Sequence, residues 1–197
     1  MKIKGFRPVD SFAGRPLPSL LKVYLELNHL KQLYRQGWLH RGVPVERCES
    51  VAEHCFGVAT LALLLADAHF PDLDRDKLLR MALLHEFGEI YAGDLTPGDG
   101  VPVAEKHRRE ADSVNRVLGD LPEGQQYIES WREYAEGKSA EARFLREVDR
   151  LEMGLQALVY ERQGLAELSE FYESVDQAVS LPELRTLLDA LQDLRGP

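Results

Sequence analysis

Apolar residues recur along most of the chain at helical spacing. In residues 17–37, LPSLLKVYLELNHLKQLYRQG, the side chains Leu20, Val23, Leu27, Leu30 and Tyr34 share one face, the stripe that an amphipathic helix buries. Residues 38–50 read as a connection. A second helix is predicted from about Val51 to Phe70, with Ser50 as its N-cap, Glu53 as the capping-box partner and Pro71 as its stop. The next begins at Asp74 or Asp76 and runs to about Tyr91, apolar nearly all round. A loop rich in Gly and Pro follows, AGDLTPGDGVPV. Further helices are predicted at about 104–118, 123–136, 139–162, 164–175 and 181–194, with Ser139 capping the long one. No segment shows the period of two that marks a strand, and no internal repeat stands out. The fold class is all-α: a compact single-domain helical bundle of seven to eight helices over residues 19–197. An extended N-terminal arm, residues 1–18, precedes it and carries Pro8, Pro16 and Pro18.

Composition narrows the function. The chain has 197 residues, 44% hydrophobic and 29% charged, enough to bury a sizeable core. Its net charge of −9 argues against an extended grip on a nucleic acid polymer, which needs clustered Lys and Arg. A small nucleotide needs only a few local cations and stays open. Cys48 and Cys55 make neither a disulfide framework nor, alone, a structural zinc site. The N-terminal stretch lacks the apolar core of a signal peptide, and the longest apolar run, LALLLA, is too short to span a bilayer. The expectation is a cytoplasmic protein with no membrane partner.

The candidate chemistry centres on ALLHEFGEIYAGD, residues 82–94. His85 shares a helix face with Leu78, Met81 and Ala82. Glu86 lies on the next stripe, with Leu79, Leu83 and Ile90. His54 lies with Val51, Cys55, Val58 and Leu65, and Asp149 near Leu145 and Met153. Two imidazoles and two carboxylates thus face inward from three helices, where unpaired charge is costly. A divalent metal would pair with all four, and this donor set suits Mn, Co, Fe, Ni or Zn, with Mg possible. The alternative is a set of core histidines satisfied by neighbouring acids. HEFGE begins like the metalloprotease motif H-E-x-x-H, but Glu89 stands where that motif needs its second His. His29, His40 and His69 have no obvious partners and read as surface.

Several stretches together resemble one family. RQGWLHRGVPVERCESVAEH (35–54), ALLHEFGEIYAGD, EKHRRE (105–110) and SAEARFLREVDRLEMGLQA (139–157) are similar, in order, to the HD-domain metal-dependent phosphohydrolases, in the branch that resembles 5′-deoxynucleotidases. The likeness covers about residues 20–165. It implies removal of phosphate from (deoxy)nucleoside 5′-monophosphates, with one divalent metal on His54, His85, Glu86 and Asp149. By the same likeness Glu89 and Asp94 are the catalytic carboxylates, and Arg35, Trp38 and Arg41 match the substrate segment, where helix-end packing and solvated charge are the alternatives. Lys106 and Arg109, with Arg108, either line the phosphate site or offset Glu105 and Glu110. One departure is plain: the family's His-Asp pair is His85-Glu86 here. That change keeps two rivals in view, a catalytically silent nucleotide-binding regulator and a phosphohydrolase for another small phosphorylated metabolite. The last helices either cover the core or form the surface of a homodimer.

Overall fold

The computed structural model describes residues 1–195; Gly196 and Pro197, the end of the domain assigned above, lie outside the described residues. The helices are α1 (Ser19–Leu27), α2 (Gln36–His40), α3 (Val51–His69), α4 (Arg75–Leu84), α5 (Glu89–Ala92), α6 (Val103–Leu118), α7 (Gly124–Glu136), α8 (Ala140–Arg162), α9 (Ser169–Ala178) and α10 (Pro182–Arg195). Short 3₁₀ turns lie at Pro8–Phe12, Asn28–Lys31 and Pro97–Asp99. No strand occurs among the described residues, only two isolated backbone bridges.

Local signals set most boundaries. The Ser50 hydroxyl accepts from the Glu53 N–H at 3.3 Å, and the Glu53 carboxylate accepts from the Ser50 N–H at 2.6 Å, a complete capping box. Asp74 and Ser139 cap α4 and α8 more simply, their side chains accepting from the Lys77 and Ala142 N–H groups.

α3 is the central helix, and α4 and α8 pack on it. Its buried Ala62 and Ala66 leave room for close approach. Two hydrophobic clusters result. One joins α3, α4 and α8 to α9 and α10 through Val58, Met81, Leu145, Val175 and Leu188. The other joins α3 to α1, α6 and α7 through Val51, Cys55, Val114 and Trp131. α3 gives Val51 and Cys55 to one cluster and Val58 to the other, so His54 sits at the seam. His85 sits at the same seam, between Ala82 of the first cluster and Phe87 of the second. With Leu184, Leu188 and Leu191 buried, α10 covers the core.

Leu20, expected on the buried stripe, is 74% exposed, and the structure departs from the sequence pattern in five further places. The expected helix over 17–37 divides because residues 33–35 pair with 49–51 instead: Val51 N–H donates to Leu33 O at 2.9 Å and Arg35 N–H to Glu49 O at 3.1 Å. The helix expected to reach Tyr91 is interrupted at residues 85–88. There Trp131 Nε1 donates to His85 O at 3.1 Å and Ser113 Oγ to Phe87 O at 3.2 Å, engaging two carbonyls from outside the helix. α9 begins at Ser169 rather than 164, because Gly164 turns at φ +67°. The arm, expected to be extended or mobile, is docked: Ile3 bridges Leu33, and Lys4 N–H donates to Gln32 O at 2.7 Å. His29, expected at the surface, is buried; burial first, then Arg7, lowers its pKa to about 4.

Candidate metal centre and active site

α3, the break after α4, and α8 bring His54, His85, Glu86 and Asp149 together. One ligand atom from each lies within 4.8 Å of all the others. His54 Nε2 is 3.0 Å from Asp149 Oδ1 and 3.7 Å from Glu86 Oε1, and His85 Nε2 is 3.8 Å from Glu86 Oε1. Both Nε2 atoms are buried and lack a hydrogen-bond partner. Buried polar atoms rarely go unpaired, and here both point into one set of carboxylates. The other ring nitrogens are engaged: His85 Nδ1 lies 2.6 Å from Ala82 O, and His54 Nδ1 lies 2.7 Å from Glu152 Oε2. A donor hydrogen at each Nδ1 leaves each Nε2 with its lone pair toward the centre. Imidazole and carboxylate in this arrangement fit a divalent first-row metal.

The charges are mutually dependent. Burial alone would lower the His54 pKa, and Arg35 adds to that, but Asp149 and Glu152 outweigh them and raise it to about 10. Burial would raise the Asp149 pKa, but the close approach and charge of His54, 3.0 Å away, hold it below the usual carboxylate range. Glu86 is also lowered, burial being outweighed by His85, Arg35 and His54. The two acids and His54 thus favour each other's charged forms.

Beside this cluster stand Glu89, Asp94 and Arg35. Glu89 is buried and its Oε2 has no partner. Burial, then Glu86 and Asp94, push its pKa well above the usual range, which favours its protonated form. Asp94 Oδ2 accepts from the Gln36 N–H at 2.5 Å. Arg35 Nη1 is 3.4 Å from Glu86 Oε1 and 3.7 Å from Asp94 Oδ1. Both distances exceed the 2.7–2.9 Å of strong charge-assisted bonds, which leaves the guanidinium free to turn to an anion. Lys106 Nζ donates to Leu95 O at 2.7 Å, on the loop that carries Asp94, and its charge acts on Glu89. Glu86 therefore has an arginine neighbour in Arg35, while Arg80 pairs with Asp76.

Three residues of the expected substrate set are not brought to the cluster. Trp38 is 1% exposed. Its ring lies against Phe171 and Tyr160, and its N–H donates to Glu49 at 2.8 Å; it is a core residue. Arg41 pairs with Glu170 on the surface. Arg109 pairs with Glu105 at 2.7 Å, as Arg108 does at 2.8 Å, so these two arginines offset a neighbouring acid.

Other residues of the site escaped the sequence reading. Glu152 orients His54. Gly57 makes room for it, since a Cβ there would lie 2.3 Å from Glu152 Oε1. Tyr134 O–H donates to Asp149 Oδ2 at 3.3 Å, and its ring centroid is 5.4 Å from that of His85. A signal existed: Glu152 is three residues beyond Asp149, and Gly57 three beyond His54, so each pair shares a helix face. Nothing in the sequence marks Tyr134 or Gln36.

The chain is similar to several known proteins. The 5′-deoxynucleotidase HDDC2 of Bos taurus is 38% identical over 193 residues, covering 96% of this chain and 92% of that protein. The 5′-deoxynucleotidase YGK1 of Saccharomyces cerevisiae is 28% identical over 179 residues, 86% of this chain and 81% of that protein. Among solved structures, the PH0347 protein of Pyrococcus horikoshii superposes with a TM-score of 0.75 at 34% identity, covering 88% of this chain and 99% of that one. The family model described as "HD domain" matches residues 27–187. With that match spanning both histidines, Glu86 and Asp149, the chain belongs to the HD domain family.

Proposed function

We propose that this chain is a metal-dependent phosphohydrolase that removes phosphate from (deoxy)nucleoside 5′-monophosphates. One observation carries the reading. A buried cage of two histidines and two carboxylates, with both Nε2 atoms unpartnered, lies beside a protonatable Glu89 and a loosely held Arg35. The names of the relatives, 5′-deoxynucleotidases from vertebrates and yeast, support the substrate class. The cage would hold one Mn, Co, Fe, Ni or Zn ion, or Mg, on His54, His85, Glu86 and Asp149. When bound, such an ion lowers the pKa of water and offsets charge on phosphoryl oxygens.

The chain's own groups do the rest. Arg35 can leave its long contacts to Glu86 and Asp94 and bind two phosphoryl oxygens in a bidentate manner. Lys106, beside Leu95, adds a second positive charge on that side. Asp94 accepts a proton from the attacking water, and Glu89, whose protonated form burial favours, donates one to the departing 5′-oxygen. Glu152 and Ala82 O hold the two imidazoles in place throughout. A cytoplasmic homodimer completes the reading; the two buried free thiols suit a reducing compartment.

The test is phosphate release from a panel of ribo- and deoxyribonucleoside 5′-monophosphates, with protein stripped by chelator and reloaded with Mn, Co or Mg. Metal-dependent release from at least one member is expected. No release from any, with the metal demonstrably bound, would leave the silent regulator as the better reading. Sedimentation would decide the dimer.

A further inference from the structure

The N-terminal arm lies beside the catalytic loop rather than away from it. The Lys2 backbone and the Gln36 side chain form a reciprocal pair: Lys2 N–H donates to Gln36 Oε1 at 2.7 Å, and Gln36 Nε2 donates to Lys2 O at 2.8 Å. Nε2 also donates to Tyr34 O at 2.7 Å, so both amide hydrogens of this buried side chain are used. The backbone N–H of the same residue makes the 2.5 Å bond to Asp94 Oδ2. On the other side of Asp94, Gly93 turns at φ +80°, and a Cβ there would lie 2.5 Å from Met1 Sδ. The arm thus reaches Asp94 by two routes, indirectly through Gln36, which holds the carboxylate, and directly at the neighbouring Gly93, where Met1 packs. Next along the chain from Gln36 is Arg35, the cation between Asp94 and Glu86.

We propose that Gln36 is a positioning residue for Asp94, and that residues 1–4 form a strap that holds Gln36 in place. A buried N–H aimed at a carboxylate fixes where that carboxylate points. Here the N–H is placed by a side chain whose partner is the arm's backbone. The strap needs no particular side chain at Lys2, which explains why composition and motif carried no sign of it. The inference rests on the reading of Asp94 as a group that acts on the substrate.

The test uses the full chain with four changes: Lys2→Pro, Gln36→Met, Asp94→Ala and the pair Gln36→Met with Asp94→Ala. Proline at position 2 removes the N–H that Gln36 Oε1 accepts and leaves every side chain of the site untouched. Amide hydrogen exchange at Gln36 reads the strap without any need for activity. Exchange is expected to speed up about tenfold or more in Lys2→Pro, the loss of a protecting contact. Metal content and KM should stay near wild type while kcat falls, about tenfold in Lys2→Pro and roughly 10–100-fold in Gln36→Met, the scale of a catalytic group displaced by a fraction of an ångström. Added to Asp94→Ala, Gln36→Met should lower kcat no further, because both act through one group. A merely structural Gln36 would give an additive loss, and that result overturns the proposal. So does unchanged exchange at Gln36 in Lys2→Pro. If the wild-type chain hydrolyses no nucleoside monophosphate, the functional reading fails on that ground alone, while the exchange comparison still decides whether the strap exists.

Discussion

Glu86 stands where its family resemblance calls for aspartate, and its surroundings say what it does. Its carboxylate lies within 3.8 Å of both Nε2 atoms and of Arg35. Glu86→Gln keeps the volume and removes the charge. It should lower metal content and activity together, read by elemental analysis and turnover. Glu86→Asp should stay folded and active, since a small shift of the ion closes the gap of one methylene. Full metal occupancy in Glu86→Gln would end its role as a ligand. The neighbouring acids should behave differently. Glu89→Ala and Asp94→Ala are expected to keep the metal and lose ~10²–10⁴ in kcat, the usual loss for a proton-transfer group. A variant that lost the metal instead would move that residue into the ligand set. Glu152 acts one step further out, and Gly57→Ala tests it from across the contact. The new methyl would meet Glu152 Oε1 at 2.3 Å and break its bond to His54. Metal affinity should fall ~10–100-fold, measured by competition with a chelator, with helical content unchanged.

At the scale of elements, the interruption at residues 85–88 decides the geometry. An unbroken helix from Asp74 to Tyr91 would put Glu86 on the stripe of Leu83, and Leu83 is 59% exposed. Instead Trp131 and Ser113, from α7 and α6, hold the His85 and Phe87 carbonyls. Bonds then close over three residues, Leu84 to Phe87 and Glu86 to Glu89, a 3₁₀-like tightening that turns Glu86 toward His54. Trp131→Phe keeps most of the packing and leaves the buried His85 carbonyl without its donor. It should cost ~1–3 kcal/mol, seen as a Tm lower by roughly 2–12 °C for a chain of this size. Metal affinity should fall with it, because the same carbonyl anchors the turn that carries both ligands. Unaltered metal affinity at lowered Tm would separate the turn from the centre.

For the whole molecule, the centre lies where two hydrophobic clusters meet, and its ligands come from α3, α8 and the turn after α4. An ion there ties three distant segments together, so it should act on the stability of the entire domain. At a free concentration 100 times its Kd, a ligand specific to the folded state adds about 2.7 kcal/mol. Thermal melts of chelator-treated protein with Mn, Co, Zn or Mg added back should show a rise in Tm for the ions that support turnover. No rise with any of them would argue against a centre shared by the three segments. Both thiols should also be silent in the folded state. Burial raises the Cys48 pKa to about 12 and that of Cys55 well above its ordinary value, and thiolate is the reactive form. A thiol reagent at pH 8 should label neither until the chain unfolds.

Local periodicity and capping chemistry were enough to read the order of the long helices, the caps at Ser50 and Ser139, and the inward faces that bear His54, His85 and Asp149. Those features depend on residues three or four apart, and the sequence states them directly. It could not say which faces meet. Arg35 and Arg41 look alike in sequence, yet only Arg35 reaches the acids, because residues 33–35 pair with 49–51 and turn it inward. Trp38 reads as well for stacking on a substrate as for packing, and α8 and α9 decide the matter by closing Tyr160 and Phe171 over it. The break at residue 85 depends on donors from α6 and α7, some 26 and 46 residues away from the carbonyls they hold. The docked arm depends on backbone groups, whose hydrogen bonds leave no mark on side-chain pattern. Helix formation is governed by near neighbours, whereas the aim of each polar group in the site is set by partners that only the packed chain brings within 3 Å.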